Sequence, residues 1–204
     1  FLTQIDMSPV DTIIVPGSLA AELAEVGRLT SSAARIIGVW RAPERMARAQ
    51  AWPGIKATMV DVQVFGEIGF VVARRGEDGL PAAIPFGIVH APRNGGTVAA
   101  IEVSATAHGT VALRGPMVPR VAFPPGAERS YLAYLEIPPS GFVDTGYACR
   151  PDCETMVLRA PPKGIVTVGG YRLATAEIEA LVGRAEDGAA TLAMLPDVLA
   201  GHRL

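Results

Sequence analysis

The first third of the chain alternates between two hydrophobic periodicities. Residues 12–15 and 35–40 are short apolar runs, and residues 60–64 alternate between apolar and polar side chains. Apolar residues recur at helical spacing after Ser18, and Pro43 is suited to the first turn of a second helix that continues to Gln50. Strand, helix, strand, helix and strand at such short spacing is typical of βαβ units. The pattern therefore predicts a parallel sheet in this part of the chain.

Helical periodicity disappears between residues 68 and 158. Short β-prone runs at residues 70–73, 97–103 and 110–113 are separated by turn-forming glycine and asparagine residues. Prolines interrupt the remainder of the stretch, which disfavours long regular strands there. We expect a small antiparallel sheet or a distorted barrel that is joined to the first unit.

The last forty residues return to a mixed pattern. Residues 165–168 predict a strand, Thr175 begins a helix that we expect to end at Gly183, and residues 192–195 predict a final strand. Forty residues are too few for an independent core. This segment is therefore expected to be the start of a small α+β domain.

Together these patterns predict an α/β plus β fold in a piece of a longer protein. The first residue is not methionine, and no signal segment follows it. Two prolines and a glycine before the final segment are typical of a linker. We expect a large domain over 1–158, divided into a βαβ portion at 1–70 and a β-rich subdomain at 71–158, then a hinge at 159–164 and a truncated small domain at 165–204.

Composition limits the classes of partner. Half of the 204 residues are hydrophobic, which excludes a disordered chain. The balance of 18 Lys and Arg against 20 Asp and Glu argues against nucleic acid or an anionic membrane surface as the main partner. No apolar run approaches the about 20 residues that a membrane span needs. We expect a cytoplasmic protein, and the sequence leaves its oligomeric state open.

Few groups in the sequence indicate chemistry by themselves. The usual phosphate-loop, dinucleotide, zinc-protease and serine-hydrolase motifs are missing. Cys149 and Cys153 offer two thiolates where tetrahedral zinc needs four ligands, so we interpret them as ordinary loop cysteines and predict no metal site. Asp61 and Glu67 flank a predicted strand end, where open parallel sheets bind ligands. Acid or base catalysis there competes with the simpler interpretation of solvated or capping carboxylates.

Five segments have an informative order. Residues 39–43 read VWRAP, 65–69 FGEIG, 108–116 HGTVALRGP and 142–147 FVDTGY, and 163–179 contain a strand, a Gly-Gly turn and the triplet EIE. In this order they resemble the "GGaP", "YGxTE", "GEl.vrGp", "W.rTGD" and hinge-to-EIE segments of the adenylate-forming superfamily, which includes acyl-CoA synthetases, luciferases and peptide-synthetase adenylation domains. The resemblance extends over about residues 35–204.

The resemblance implies a reaction and a set of site residues. The family activates a carboxylate with ATP to an acyl-adenylate, releases pyrophosphate, and transfers the acyl group to a thiol such as coenzyme A. ATP and magnesium are the implied cofactors, and a small-molecule carboxylate or acyl group is the implied ligand. The implied nucleotide and acyl pocket contains Phe65, Gly66, Glu67, Ile68, Thr145, Gly146 and Tyr147, and the implied hinge and small-domain loop contain Arg159, Lys163, Gly164, Gly169 and Gly170.

Several polar positions depart from the family pattern. Ile68 stands where the family has a threonine at the α-phosphate, and Gly69 where it has a metal-directed glutamate, although a local shift would let Glu67 serve. Tyr147 stands where an aspartate would hold the ribose hydroxyls, and Gly164 where the hinge has an aspartate. The phosphate loop and the catalytic lysine would lie outside these residues. We therefore do not expect this chain by itself to adenylate a substrate.

Three interpretations remain open from the sequence. The chain is part of an acyl-CoA-synthetase-like ligase, or it is a catalytically inactive descendant with an acyl-binding, nucleotide-binding or scaffold role. In the third interpretation it is an unrelated protein of mixed α/β and β structure.

Overall fold

The structure is a computed structural model that describes residues 10–25, 35–48, 57–75, 79, 83–93, 96–120, 137–169, 171–185, 191–197 and 199–203. Within these residues the strands form three sheets. The first sheet contains β1 (Thr12–Pro16), β2 (Arg35–Trp40), β3 (Thr58–Val64) and β4 (Phe70–Arg74), accompanied by helix α1 (Gly17–Glu25) and a 3-10 helix (Pro43–Arg48).

The predicted parallel βαβ arrangement is confirmed in the first sheet. Strands β1, β2 and β3 are parallel neighbours. Ile13 and Ile36 pack beneath helix α1, which buries Ala20. The helix begins directly after β1 at Gly17, which lies so close to Trp40 that any Cβ atom would overlap the indole ring. The second predicted helix is a short 3-10 helix in the described residues.

Strand β4 differs from its predicted place. From the hydrophobic pattern, residues 70–73 were predicted to belong with the antiparallel strands that follow them. In the structure, β4 pairs antiparallel with β3 in the first sheet, with Val72 opposite Val62. The cause is a tight turn at residues 65–69, which returns the chain directly beside β3. Gly66 has a φ of 58° in this turn, a conformation that favours glycine.

The second sheet is antiparallel throughout its described pairings, as expected for short strands joined by turns. Cys149 lies in a strand of this sheet and Cys153 in a turn, so the interpretation of both as loop cysteines was wrong for Cys149. The strands, in spatial order β5-β10-β9-β8-β7-β6, are β5 (Ile84–Pro85), β6 (Gly87–Arg93), β7 (Gly96–Ala105), β8 (Thr110–Arg114), β9 (Val143–Asp152) and β10 (Thr155–Ala160).

The third sheet contains the predicted strand β11 (Ile165–Val168), together with β12 (Tyr171–Ala174), β13 (Leu195–Asp197) and β14 (Gly201–Arg203), in the order β12-β11-β14-β13. Helix α2 follows β12 and spans Thr175–Ala185.

Two predicted boundaries in this region were wrong. Helix α2 continues past Gly183, because one interior glycine costs only about 1 kcal/mol relative to alanine. The final strand was predicted at residues 192–195, but β13 begins at Leu195 and includes Pro196. A proline is tolerated there because β13 is an edge strand.

The main hydrophobic core joins the first sheet to the second. Phe65, Ile68 and Val71 from the first unit pack with second-sheet residues such as Leu113 and Met156, and all five side chains are almost completely buried. In the described ranges no helix combines the length and apolarity needed to cross a membrane.

Candidate functional site

The turn at residues 65–69 lies beyond the C-terminal end of β3. Phe65 N–H donates to the Gly69 carbonyl at 2.8 Å, and Ile68 N–H donates to the Phe65 carbonyl at 3.2 Å. These bonds close the turn so that the Phe65 and Ile68 side chains enter the core, where both are fully buried. Glu67 is the residue of the turn whose side chain reaches outward.

The Glu67 carboxylate connects this turn to the third sheet. Its Oε2 accepts the backbone N–H of Arg172, in β12, at 3.0 Å. Glu67 was predicted as a candidate acid or base, with solvation or capping as the alternative. In this structure its chemical role is to accept a hydrogen bond from a backbone amide that lies 105 residues away in sequence.

Asp61 does not join Glu67. Its fully buried carboxylate accepts hydrogen bonds from Trp40 Nε1 at 2.8 Å and from Arg75 Nε at 2.9 Å. Arg75 Nη2 adds a third bond at 3.2 Å. Asp61 is thus a structural ion-pair partner inside the first sheet, which is neither the catalytic nor the solvated role considered from the sequence.

Thr145 and Gly146 belong to a tight local arrangement in β9. The Thr145 hydroxyl donates to the Val111 carbonyl at 2.8 Å and accepts the Tyr147 N–H at 3.2 Å. Gly146 N–H donates to Asp144 Oδ1 at 2.7 Å, and its φ is 74°. The Thr145 hydroxyl is thus engaged with backbone groups, and the Gly146 N–H is engaged with the Asp144 side chain.

Tyr147 links all three sheets. Its side chain is 1% exposed, and its ring meets the Phe65 ring edge-on, with centroids 5.3 Å apart and planes at 87°. Its hydroxyl lies 3.4 Å from Thr167 Oγ1 in β11. Burial raises the pKa of Tyr147 to about 12, so the phenol is neutral at physiological pH.

The predicted hinge packs against β9. Pro162 is buried, and a Cβ atom on Gly146 would lie 3.0 Å from Pro162 Cβ. Gly164 has a φ of 66°, and its carbonyl accepts the N–H of Thr175 at 3.0 Å. The remaining predicted residues are Arg159 and Lys163, which are exposed, Gly169, whose N–H donates to the Ala200 carbonyl at 2.8 Å, and Gly170, which lies outside the described residues.

Arg172 is a site residue that sequence reasoning missed. Its side chain is 5% exposed, and within the described part of the chain its Nε and Nη1 have no hydrogen-bond partner. Burial lowers the pKa of Arg172, while the nearby Glu67, Tyr147 and Asp144 act in the opposite direction. Its position two residues after the Gly-Gly pair was the available signal.

A second set of contacts joins the third sheet to the first unit. His202 Nε2 lies 3.6 Å from Glu44 Oε1, and His202 Nδ1 lies 3.3 Å from the Thr167 carbonyl. Arg41 Nη1 donates to the Leu199 carbonyl at 2.7 Å. The contact of His202 with the 3-10 helix could not be predicted, because nothing in the spacing of these residues along the chain indicates it.

The structure therefore separates the predicted pocket residues into two groups. Glu67 and Tyr147 contact the third sheet, whereas Phe65 and Ile68 lie in the core and Thr145 bonds to the backbone. Among the residues that the structure describes, no three His, Cys, Asp or Glu side chains lie close enough together to hold a metal ion. The side chains at Ile68 and Tyr147 do not fit the phosphate and ribose contacts that the resemblance implies.

Comparison with known proteins gives a likeness of structure. No protein-family model and no curated protein matches the sequence. The amide bond synthetase McbA from Marinactinospora thermotolerans matches with a TM-score of 0.55 and 19% identity, over 94% of this chain and 40% of that chain. The fused adenylation-PCP protein NpsA-ThdA from Klebsiella oxytoca matches with 0.55 and 16%, over 89% and 36%. PA1221, an NRPS protein containing adenylation and PCP domains, matches with 0.62 and 16%, over 96% and 36%.

At these identities the likeness shows the fold alone. The chain spans about two fifths or less of the length of the structures it matches. Two of these structures contain adenylation domains, so the resemblance stated from the motifs is confirmed at the level of the fold.

Proposed function

Starting from a fold shared with adenylation domains, we propose that this chain is part of an acyl-CoA-synthetase-like, AMP-dependent ligase homologue. We further propose that the chain itself is a catalytically inactive descendant with an acyl-binding, nucleotide-binding or scaffold role. The parent reaction would join a small-molecule carboxylate to the AMP part of ATP with release of pyrophosphate, and would then transfer the acyl group to coenzyme A with release of AMP.

The observation that carries this proposal is the burial of Tyr147. A carboxylate accepts hydrogen bonds from two ribose hydroxyls, whereas a phenol has one oxygen. The Tyr147 oxygen faces Thr167, and its ring is packed against Phe65. The residue at the implied ribose position therefore supports packing between the sheets.

The turn at residues 65–69 supports the same conclusion. Phosphoryl chemistry needs hydrogen-bond donors or cations aimed at the developing negative charge. Ile68 has no polar atom in its side chain and is fully buried, and Gly69 has no side chain. Neither position offers a side-chain donor or a cation to a phosphate group.

Pyrophosphate release and calorimetry test the proposal on the chain as it is. With ATP, magnesium, coenzyme A and a panel of carboxylic acids, we expect no pyrophosphate above the blank without acid. Calorimetry with a non-hydrolysable acyl-adenylate analogue then separates a binding role, which gives a saturable heat, from a scaffold role, which gives none. An active acyl-CoA synthetase run in parallel is the positive control. Acid-dependent pyrophosphate release by this chain would contradict the proposed loss of catalysis.

A second candidate, an active ligase formed by a longer protein, is favoured by Arg172. A buried guanidinium with two nitrogens that lack hydrogen-bond partners in the described residues suits an anionic ligand group. Pyrophosphate release by a longer protein, reduced at least tenfold by Arg172→Ala, is the result expected for this candidate. If the longer protein releases no pyrophosphate with any carboxylic acid, this second candidate is excluded.

A further inference from the structure

We propose that the outer face of the first sheet binds a second copy of this chain. The outer face is the side of the sheet that carries Ile14, Ile37, Val39, Val62, Phe70 and Val72. The inference goes beyond the proposed function, because it involves neither a nucleotide nor an acyl ligand. It assigns an interaction surface and the partner that fits it.

Strand register brings these apolar side chains to one side of the sheet. Ile14 stands opposite Ile37, and Val62 stands opposite both Val39 and Val72. Residues that are opposite in register point to the same side, and so do residues two positions apart along a strand. The outer face is therefore apolar across all four strands.

Helix α1 and the 3-10 helix pack on the opposite, inner side of this sheet. Their buried residues Ala20 and Met46 belong to one cluster with Ile13, Ile36 and Met59, which alternate with the outer-face residues along the strands. Two successive right-handed crossovers that move in the same direction across a sheet place both helices on one side. The order β1-β2-β3 therefore directs both connections to the inner side.

The outer face is exposed to solvent in this structure. Ile14 is 65% exposed, Phe70 40% and Val72 38%. Parallel strands are normally covered on both faces. The exposed side chains make a patch on the order of 400 Å², which is the scale at which apolar patches mark interaction sites. Removing this patch from water would drive association.

The placement of charge on the first sheet suits a second copy. Arg35 begins β2 and Arg74 ends β4, and by register both residues stand at the same end of the sheet. Val64 and Phe70, which pair in register, stand at the other end. A two-fold axis that reverses the strand direction places the basic end of one copy beside the apolar end of the other. Like charges then stay apart while the apolar faces meet.

Strand β1 provides a second, independent reason. It is an edge strand of the first sheet, and its sequence TIIVP contains no charged residue. Exposed edges are commonly protected by charged side chains or by prolines. Here Pro16 stands at the end of the strand, and Ile14 is exposed beside the edge. This side of the sheet therefore favours association with a like chain.

The size of the outer face sets the expected strength of the dimer. Two such patches would bury on the order of 800–1,000 Å² together, which is less than the about 1,200 Å² of a standard stable interface. We therefore expect a reversible dimer with a dissociation constant on the order of 10 μM.

Salt dependence tests the reversed arrangement. With the basic ends apart, the dissociation constant should change less than about threefold between about 50 mM and 500 mM sodium chloride. An association that strengthens by roughly tenfold or more with salt would place the basic ends together, and it would overturn this arrangement.

Sedimentation equilibrium of the full chain tests the surface itself. The original chain is compared with Ile14→Glu and Val72→Glu, which place a carboxylate on opposite edge strands of the first sheet. Ile88→Glu is the matched control, because Ile88 is 53% exposed on β6 in the second sheet. We expect a concentration-dependent dimer for the original chain and the control, and roughly tenfold or greater weakening in each outer-face variant.

Three outcomes of the sedimentation experiment overturn the proposal. The first is a monomer at every concentration up to roughly 200 μM, well above the expected dissociation constant. The second is equal weakening by Ile88→Glu, because association would then not be specific to the outer face. The third is weakening by Ile14→Glu without weakening by Val72→Glu, which would indicate pairing of β1 edges. If circular dichroism shows a glutamate variant to be unfolded, Ile14→Thr or Val72→Thr replaces it, because threonine keeps a β-branched side chain.

Discussion

At the scale of single residues, several side chains that suggested chemistry hold the structure together. Thr145 bonds to the Val111 backbone, Tyr147 packs between sheets, and Asp61 pairs with Arg75. Each group is polar and buried, so it needs a partner inside the protein. The sequence shows the residue type at these positions but does not show which distant group supplies the partner.

Asp61→Asn should strongly destabilise the first sheet. The buried carboxylate bonds to both Trp40 and Arg75, and removing its charge leaves the guanidinium without its counter-ion at that contact. Breaking a buried pair of this kind costs about 3–5 kcal/mol. We expect a loss of that order in the free energy of unfolding, measured by urea denaturation.

Glu102→Gln is the matched control for this prediction. The pair of Glu102 and Arg114 is substantially exposed, and such pairs contribute about 0–1 kcal/mol. Equal losses in the two variants would mean that burial does not determine the contribution of the Asp61 pair.

At the scale of elements, helix α2 shows that a single glycine does not end a helix when the residues around it remain helical. Gly183 lies inside the helix, and its φ is not positive. Gly183→Ala should stabilise the chain by about 0.5–1 kcal/mol, because alanine restricts the unfolded chain and favours the helix. Thermal unfolding measures the change. A lower melting temperature in this variant would contradict the assignment of residue 183 to the helix interior.

The strands were predictable where apolar residues adjoin one another or alternate regularly. β2 contains Ile36 and Ile37, and β3 alternates from Val60 to Val64, so both were identified from the sequence. β9 was missed because its sequence mixes Asp144, Gly146 and Pro151 with apolar residues. Its pairing with β8 and β10 supplies the regularity that its own residues lack.

At the scale of the whole molecule, Tyr147 makes stability depend on pH in the alkaline range. Burial raises the pKa of Tyr147 from 10.0 to about 12 in the folded protein. The neutral phenol is thus favoured by folding. Its contribution is fully present below pH 10 and is lost as pH rises from about 10 to 12.

At about 1.36 kcal/mol for each pKa unit, this shift corresponds to about 2–3 kcal/mol of folding stability. We expect the free energy of unfolding to fall by an amount of this order between pH 9.5 and pH 12, beyond the change seen in Tyr147→Phe. Urea denaturation at both pH values provides the measurement. Identical pH dependence in the two proteins would show that Tyr147 does not cause the loss.

The fold as a whole was more predictable than the way its parts meet. The order of motifs along the chain indicated the adenylation-type fold, because sequence order is visible directly. The contacts of Glu67 with Arg172 and of His202 with Glu44 join residues more than 100 positions apart. Only the three-dimensional path of the chain determines these pairs.

Gly201 shows how the absence of a side chain can define a position in space. Its φ is 86°, and its α-carbon hydrogen lies where a methyl group would press on the Arg41 backbone. The distance between β14 and the first unit is therefore set by the smallest residue in the chain. Alanine at this position would take a backbone conformation that residues with side chains rarely adopt, and its methyl group would push β14 away from the first unit.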